Sequence, residues 1–273
     1  MSEWESDEGE HWATNADRYS RMLSAYGDIV ASAASWQAGQ RVLDIGCGNG
    51  DLTVAAANEV GPTGSVLGVD LSPAMLSVAR SRANRAGLGN VTFEASDVGV
   101  VRPAVTGFDV AVSRFGVMFF SDPAAAFAHI RSLMRPGGRL VFVCWQDLFA
   151  NEWMITPGAA VAGVLGMPGS GAEPGAPGPF AFADPDRPLS VLQTAGYTNP
   201  TAEAVTADLW MGENAAAVAR FMRTTGMGRA MFANASPELA ELAVAKVTEA
   251  LEPFESDTGV TMAGAAWLIT ATA

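Results

Sequence analysis

An acid and three glycines stand close together in the run VLDIGCGNGDL at residues 42–52. Gly46, Gly48 and Gly50 follow an apolar stretch, a spacing typical of a tight turn that lets a ligand approach the backbone. A glycine loop by itself suits any nucleotide. Asp44 narrows the choice, because a carboxylate here would repel a pyrophosphate and attract a positively charged ligand. The loop therefore predicts a site for a nucleoside that carries positive charge.

Two further acids follow predicted strands. Asp70 ends the second strand, and Asp97 follows the third strand in the run Ser96-Asp97-Val98. An acid at the end of the strand after a glycine loop can accept both ribose hydroxyls in charge-assisted hydrogen bonds. We therefore expect Asp70 to bind ribose, the other interpretation being an acid that only marks a helix start. Asp97 is also compatible with capping the next turn.

Apolar strands alternate with helices from residue 41 onward, and Ser72 with Pro73 is a favoured helix start. Repeated strand–helix units of this length predict a parallel sheet with helices on both faces. The predicted strands are 41–45, 65–69, 91–94, 108–113, 139–144, 201–207 and 260–270. The predicted helices are 51–60, one from 73, one from about 123 to the turn at 136–138, and then 151–165, 185–196, 214–225 and 236–251.

The pattern Asp-x-Gly-x-Gly-x-Gly from Asp44 onward resembles motif I of the class I S-adenosylmethionine (SAM) methyltransferases. The run FDVAVSRF at 108–115 resembles motif IV of that family, and LMRPGGRL at 133–140 resembles the turn into its fifth strand. The motifs occur in order within residues 36–145. The resemblance implies a Rossmann-like, doubly wound α/β sheet of seven strands, the last antiparallel, in a single SAM-binding domain over residues 1–273.

The same resemblance implies SAM as cofactor and S-adenosylhomocysteine (SAH) as its product. In this family the acid equivalent to Asp97 hydrogen-bonds the adenine amino group, and the neighbouring backbone reads the edge of the ring. The predicted cofactor-binding residues are Asp44, Gly46, Cys47, Gly48, Asn49, Gly50, Asp70, Leu71, Met75, Ser96, Asp97, Val98, Ser113 and Phe115.

The run HWATNADRY at 11–19 resembles the N-terminal helix that folds over the cofactor in small-molecule members of the family. Residues 1–35 are accordingly predicted to form lid helices. Trp12 and Tyr19 would shield the methionine end of the cofactor, or would only pack the helix down. The candidate acid–base groups are His11, Tyr19 and Arg114. For His11, a solvated surface position is the competing interpretation.

Regions 146–183 and 208–258 depart from the regular alternation and are predicted to form cap insertions over the carboxyl ends of the strands. The first includes a Pro/Gly-rich loop at 167–179. Singly, each large apolar residue of the cap is compatible with ordinary cap core. As a group they predict a hydrophobic or aromatic substrate. The group includes Met118, Phe119, Phe120 and Trp145 near the cap, and Trp153, Met154, Trp210, Met211, Phe221, Met222, Met227, Met231 and Phe232.

Composition excludes several classes of partner. The chain has 16 basic and 29 acidic residues, a formal net charge of -13, whereas proteins that bind nucleic acid or anionic membranes usually present a basic face. With 2 histidines a histidine metal cluster is impossible, so no metal is expected. The 2 cysteines do not form a disulfide framework, and neither a signal peptide nor a bilayer-spanning apolar run is evident, so we expect a cytoplasmic protein.

The expected function is SAM-dependent transfer of a methyl group to an N, O or C nucleophile of a small metabolite. Ser113-Arg114-Phe115-Gly116 stands where nucleic-acid amino methyltransferases carry Asn/Asp-Pro-Pro-aromatic. One alternative is a protein of this fold that binds SAM without transferring methyl groups. A remote alternative is an NAD-dependent oxidoreductase, which the missing Gly-x-Gly-x-x-Gly spacing disfavours. The acceptor atom, the substrate and the oligomeric state stay open.

Overall fold

The computed structural model describes residues 3–166 and 175–273. Its strands are β1 (Arg41–Ile45), β2 (Ser65–Asp70), β3 (Val91–Ala95), β4 (Phe108–Arg114), β5 (Met134–Trp145), β6 (Thr198–Gly212), β7 (Glu255–Ser256) and β8 (Gly259–Thr272). They form one sheet in the order β3-β2-β1-β4-β5-β8-β6, and β7 pairs with β8. The segment 167–179, predicted as a Pro/Gly-rich loop, lies mostly outside the described residues.

The helices surround this sheet. They are α1 (Asp7–Thr14), α2 (Ala16–Met22), α3 (Ser24–Ala34), α4 (Asp51–Val60), α5 (Pro73–Arg85), α6 (Pro123–Leu133), α7 (Glu152–Leu165), α8 (Asp186–Thr194), α9 (Ala215–Met222), α10 (Gly226–Phe232) and α11 (Pro237–Leu251). Ser72 caps α5 by accepting a hydrogen bond from the Met75 N–H, with Pro73 in the first turn, as predicted.

The first five strands are parallel, and β8 enters antiparallel between β5 and β6. The predicted α/β class with an antiparallel last strand is therefore confirmed, and the two-residue β7 is an addition to the seven expected strands. Because neighbouring parallel strands end at one edge of a sheet, the carboxyl ends of β1 to β5 meet there. This edge collects the polar residues singled out in the sequence.

Two strands are longer than expected. β5 begins at Met134, which pairs with Phe108, and a register shift after this pair lets the strand include the predicted Pro-Gly-Gly turn. Helix α6 therefore ends earlier than expected, at Leu133. β6 continues to Gly212 because β8 pairs with it almost to the end, including Leu209 opposite Met262. Residues 208–212, predicted as part of the cap, are therefore strand.

The two predicted cap insertions contact each other, since α7 of the first packs against α10 and α11 of the second. Helix α10 was not expected from the sequence. On α11, the helical spacing of Leu239, Leu242, Ala243, Val247, Ala250 and Leu251 predicts one apolar face, which is partly wrong because Leu239 and Leu242 are exposed. The exposed and the buried apolar residues form two neighbouring stripes along α11. Packing against α7 decides which of the two stripes is buried. The buried stripe consists of Ala240, Ala243, Val247 and Leu251.

Within the described ranges no helix combines the length and the apolar character needed to cross a membrane. Cys47 and Cys144 are both free thiols and both buried.

Replacing Leu251 by alanine should lower the free energy of unfolding by about 2–5 kcal/mol, because its side chain is fully buried and alanine would leave a cavity. Leu239→Ala is the matched control on the same helix. Its side chain is 44% exposed, so the change should stay within about 0.5 kcal/mol. Urea unfolding of both variants measures the difference. Equal losses would show that the wrong face of α11 has been assigned to the core.

Candidate functional site

The glycine loop between β1 and α4 is tightly packed on both sides. Gly46 and Gly50 have backbone φ angles of 63° and 81°, which residues other than glycine rarely adopt. A Cβ on Gly46 would lie 2.9 Å from the Gly116 Cα, and a Cβ on Gly50 would lie 2.8 Å from the Ala79 Cβ. At Gly48 the nearest atom would be the Met75 Sδ, 3.7 Å away. The middle of the loop is therefore its open part.

Asp44 lies beneath this loop and is fully buried. Its Oδ2 accepts a hydrogen bond of 2.5 Å from the Thr53 Oγ1, a partner that the sequence pattern did not indicate. Burial raises the pKa of the Asp44 carboxyl to about 7, although the Thr53 bond and nearby Arg114 oppose the shift. A positive charge brought close to Asp44 would favour its ionised form.

Asp70 joins the loop to the next helix. Its Oδ2 accepts a hydrogen bond of 2.8 Å from the Gly48 N–H, and its Oδ1 accepts one of 2.8 Å from the Ser72 N–H. The side chain is buried, and this burial raises its pKa despite the backbone donors. Each carboxylate oxygen keeps a second lone pair, so Asp70 has acceptor capacity beyond these two bonds.

A cavity of about 500 Å³ lies beside Asp70, at the carboxyl ends of β2 and β3. Asp97 is exposed in its wall, where its Oδ1 accepts a hydrogen bond of 2.8 Å from the Gly99 N–H, while Val98 is buried. The turn-capping interpretation of Asp97 is thus realised, and its second oxygen stays available. The lining residues are Glu5, Leu71, Pro73, Ala95, Ser96 and Asp97.

Ser113 and Phe115 lie deeper than a ligand-facing position would require. Ser113 is fully buried, and its Oγ donates a hydrogen bond of 2.7 Å to the Ile45 carbonyl, which ties β4 to the loop. Phe115 stacks on Trp145 at 3.9 Å between ring centroids and contacts the edge of Tyr26. It does so in a left-handed conformation with φ of 66°. Both residues support the floor of the site.

Arg114 points into an ion pair rather than toward an open site. Its Nη2 lies 2.9 Å from the Asp51 Oδ2, and its side chain is mostly buried. A guanidinium has N–H donors and no acceptor, so in this pair Arg114 serves as a fixed partner of Asp51, and its expected acid–base role stays a prediction.

Helices α1 and α2, the N-terminal helices, cover the loop and the start of α5. Gly9 crosses Ser72 so closely that a Cβ would lie 2.3 Å from the Ser72 Oγ. Trp12 stacks on Tyr19 with ring centroids 3.6 Å apart and planes inclined by 7°. The Asn49 Nδ2 donates a hydrogen bond of 3.3 Å to the Trp12 carbonyl. The N-terminal helices are thereby attached to the glycine loop itself.

His11 is half-buried and does not have the solvated position that was one interpretation. Its Nε2 lies 3.0 Å from the Tyr19 hydroxyl, and its ring stacks on Phe221 of α9 at 5.6 Å. Burial lowers the pKa of His11 and raises the pKa of Tyr19. The pair therefore holds a neutral imidazole against a neutral phenol near neutral pH.

An aromatic wall continues from this pair into the cap. The Arg18 guanidinium lies 3.8 Å from the centre of the Phe221 ring, and Arg21 lies 3.7 Å from the Trp210 ring, both as cation–π contacts. Trp4 packs edge-on against Phe119 at 5.0 Å. Further apolar residues pack against the core without full burial: Phe120 before α6, and Trp153, Met222, Met231 and Phe232 in the cap.

One polar junction was missed in the sequence. Asp51 follows the glycine loop directly and lies between Arg82 of α5 and Arg114 of β4. Arg82 also contacts Asp17 of α2 at 2.7 Å. Arginines within a helix carry no pattern that distinguishes a buried junction from a solvated surface, so no sequence signal could have singled out Arg82.

A family model described as a methyltransferase domain matches residues 37–156. This segment contains β1 to β5, the glycine loop, Asp70 and Asp97. Residues 37–156 therefore match the methyltransferase domain family, and the resemblance inferred from the motifs is confirmed over this part of the chain.

Curated relatives match parts of the chain. Aklanonic acid methyltransferase from Streptomyces sp. strain C5 is 36% identical over 104 residues, which cover 38% of this chain and 47% of that protein. A ubiquinone/menaquinone biosynthesis C-methyltransferase from Bdellovibrio bacteriovorus is 38% identical over 134 residues, covering 47% and 56%. Nocamycin O-methyltransferase from Saccharothrix syringae is 28% identical over 191 residues, covering 63% and 68%. The chain spans about half the length of the first two relatives.

Solved structures share the fold over most of the chain. The YcgJ protein from Bacillus subtilis matches with a TM-score of 0.56 and 17% identity, covering 91% of this chain and 98% of that one. A SAM-dependent methyltransferase from Aquifex aeolicus matches with a TM-score of 0.54 and 15% identity, covering 95% and 97%. At these identities the likeness concerns the fold.

The raised pKa of Asp44 should make its contribution to stability depend on pH. The folded protein holds the proton more tightly than the unfolded chain, whose Asp has a pKa near 3.8. Stability contributed by Asp44 is therefore lost as pH rises from about 4 to 7, by an amount of order 4 kcal/mol. Asp44→Asn removes this dependence and keeps an acceptor for Thr53.

Urea unfolding of wild type and Asp44→Asn at intervals between pH 4.5 and 7.5 measures the effect. The free energy of unfolding of the wild type should fall relative to that of the variant as pH rises. A difference that stays constant across this range would show that Asp44 has an ordinary pKa.

Proposed function

We propose that the chain is a SAM-dependent methyltransferase acting on a small, hydrophobic or aromatic metabolite. The observation that carries this proposal is the Asp70 carboxylate. It is buried between the N–H groups of Gly48 and Ser72, beside a cavity of about 500 Å³, in a segment that matches the methyltransferase domain family.

The residues at the loop fit a zwitterionic nucleoside. Asn49 has a buried Oδ1 with no partner among the described residues, although its Nδ2 is fixed by the Trp12 carbonyl. A buried acceptor without a donor costs free energy, and the ammonium group of SAM would supply the missing donor. The loop is open at Gly48, whereas a Cβ on Gly46 or Gly50 would meet neighbouring atoms, so Gly48 is where a ligand could approach. Asp44 would add a favourable charge below the loop.

Further residues would hold the nucleoside half of the cofactor. We assign the ribose hydroxyls to the remaining acceptor capacity of Asp70, and the adenine amino group to the free oxygen of Asp97. Leu71 and Ser96 line the cavity between these two acids. Ser113 and Phe115 act indirectly, by fixing the floor under the loop.

The cofactor supplies a methyl group on a sulfonium, which is reactive toward N, O or C nucleophiles. The protein's task is then to align the acceptor and to keep water out, and orientation alone can lower a barrier by about 7–11 kcal/mol. The N-terminal helices and the aromatic wall suit this task, because they enclose the loop with apolar rings. Three relatives with names that refer to aklanonic acid, quinones and nocamycin support an organic small-molecule acceptor.

A proton acceptor is needed only if the acceptor atom must lose a proton. His11 is our candidate, because its imidazole is neutral and lies against Tyr19 and Phe221 at the edge of the aromatic wall. Tyr19 would orient the ring and hold its tautomer. Arg114 enters the proposal as a fixed cation on Asp51 instead of a proton acceptor.

The first test is titration calorimetry with SAH, with NAD as the control ligand. Binding of SAH in the micromolar range or tighter, without binding of NAD, supports the proposal. Binding of NAD alone would favour an oxidoreductase. Methyl transfer itself is tested with labelled SAM and metabolite extracts, because a protein that binds SAM without turnover would leave every metabolite unlabelled.

Asp70→Ala should weaken SAH binding about 10- to 150-fold, the effect of losing a charge-assisted hydrogen bond of about 1.5–3 kcal/mol. Calorimetry measures the affinity, and circular dichroism checks the fold, since Asp70 also holds two backbone N–H groups. Asp186→Ala, at an exposed acid on α8, is the matched control and should bind SAH normally. Unchanged affinity of a folded Asp70→Ala protein would remove Asp70 from the ribose site.

His11→Ala should slow methyl transfer to an acceptor that must lose a proton by about 10²–10⁴-fold and leave the affinity for SAM unchanged. The wild-type rate should rise with pH through a pKa below 6.5, because burial lowers the pKa of His11 and the base must be neutral. Product formation from quinols and aromatic acids with labelled SAM measures the rate. A normal rate in His11→Ala would return this residue to a packing role.

A further inference from the structure

Arg82 of α5 connects parts of the site that are far apart in the chain. Its Nη1 donates hydrogen bonds to the Ser20 Oγ at 2.9 Å, to the Asn49 carbonyl at 3.3 Å and to Asp51. Its Nη2 donates to the Asp17 Oδ1 at 2.7 Å. One guanidinium thus contacts helix α2, the glycine loop and the start of α4.

The contacts of Arg82 differ in how far they are buried. The Arg82 and Asp51 side chains are 16% and 24% exposed, and Asp51 is shared with Arg114. Asp17 is fully exposed, so its pair with Arg82 is screened by water and adds little stability on its own. The half-buried contacts to Asn49 and Asp51 carry the larger free energy. The contact to Ser20 extends the same junction to α2.

Arg82 contacts the glycine loop at Asn49, the residue whose buried Oδ1 has no partner among the described residues. Arg82 holds the Asn49 carbonyl, and the Trp12 carbonyl holds the Asn49 Nδ2. Asn49 is therefore fixed from α5 on one side and from α1 on the other, with its Oδ1 as the remaining free group. A planar guanidinium with several donors can serve these partners together, whereas a lysine ammonium cannot reach them all.

We propose that Arg82 is a positioning residue that fixes the glycine loop and the N-terminal helices in one arrangement, and thereby sets the affinity of the loop for the cofactor. This inference rests on the proposed function. Arg82 acts through Asn49 and Asp51 and does not itself contact the ligand.

Titration calorimetry with SAH tests the inference on four proteins: wild type, Arg82→Ala, Arg82→Lys and the control Arg85→Ala. Arg85 is exposed on the same helix, and its loss changes the net charge equally. We expect Arg82→Ala to bind SAH about 10- to 150-fold more weakly, Arg82→Lys to recover part of the affinity, and Arg85→Ala to bind within about twofold of the wild type.

Hydrogen exchange of the ligand-free proteins gives a second readout. Residues 12–23 should exchange faster in Arg82→Ala than in Arg85→Ala, while the strands of the sheet stay protected. The double variant Asp17→Asn/Ser20→Ala removes only the contacts to α2 and keeps the Asp51 pair. It should accelerate exchange in residues 12–23 and weaken SAH binding less than Arg82→Ala does. It replaces Arg82→Ala as the test if that variant does not fold.

The outcomes distinguish the two levels of the argument. If the wild type does not bind SAH, the proposed function fails, and this inference fails with it. If the wild type binds and folded Arg82→Ala binds equally well, only the positioning role is overturned. Equal affinity of wild type and Arg82→Lys, with normal exchange in residues 12–23, would likewise contradict the need for a guanidinium.

Discussion

The Asp70 carboxylate makes the contact on which the geometry of the site depends. With one oxygen on the Gly48 N–H and the other on the Ser72 N–H, it joins the end of β2 to the glycine loop and to the first turn of α5. Gly46 and Gly50 leave no room for a side chain, because an added Cβ would meet Gly116 and Ala79. The Asp70 contacts and these two glycines together shape the loop. The open face at Gly48 is what remains for a ligand.

The N-terminal helices complete this arrangement from outside the parallel sheet. They are held by polar contacts to the loop, through Asn49 and Arg82, and by stacking of Trp12 on Tyr19. The contact of Arg229 in α10 with Glu8 in α1, at 2.8 Å, extends the closure to the cap. Where such contacts shield a site from water, the charges of Asp44 and of a cationic ligand would interact more strongly than they would in water. In the proposed function, one set of contacts would therefore serve both the exclusion of water and the binding of the cofactor.

The chain has one segment that it shares with a family of proteins and a cap that lies mostly outside that segment. Residues 37–156 match the methyltransferase domain model and contain all the acids proposed to bind the cofactor. The cap, with Phe221 and the apolar residues of α7 and of α9 to α11, lies mostly beyond it, and Trp210 adjoins it at the end of β6. In the proposed function, the loop and these acids would bind the nucleoside, whereas the cap would read the acceptor by its apolar shape. A side chain of the cap could then change size without disturbing the loop.

Local patterns determined the parallel strands, the helix start at Ser72 and Pro73, and the loop with Asp44, because these depend on hydrophobic periodicity and on the steric freedom of glycine. The acids at Asp70 and Asp97 could be located because parallel strands end at one edge. Only the tertiary structure decided how far β6 extends, since its length depends on β8, and which stripe of α11 is buried, since that depends on α7. It also decided that Arg114 pairs with Asp51, that Ser113 and Phe115 lie in the floor, and that Arg82 meets Asn49. Contacts between residues distant in the chain leave no local periodicity, so a junction made by one arginine is invisible until the elements around it are packed.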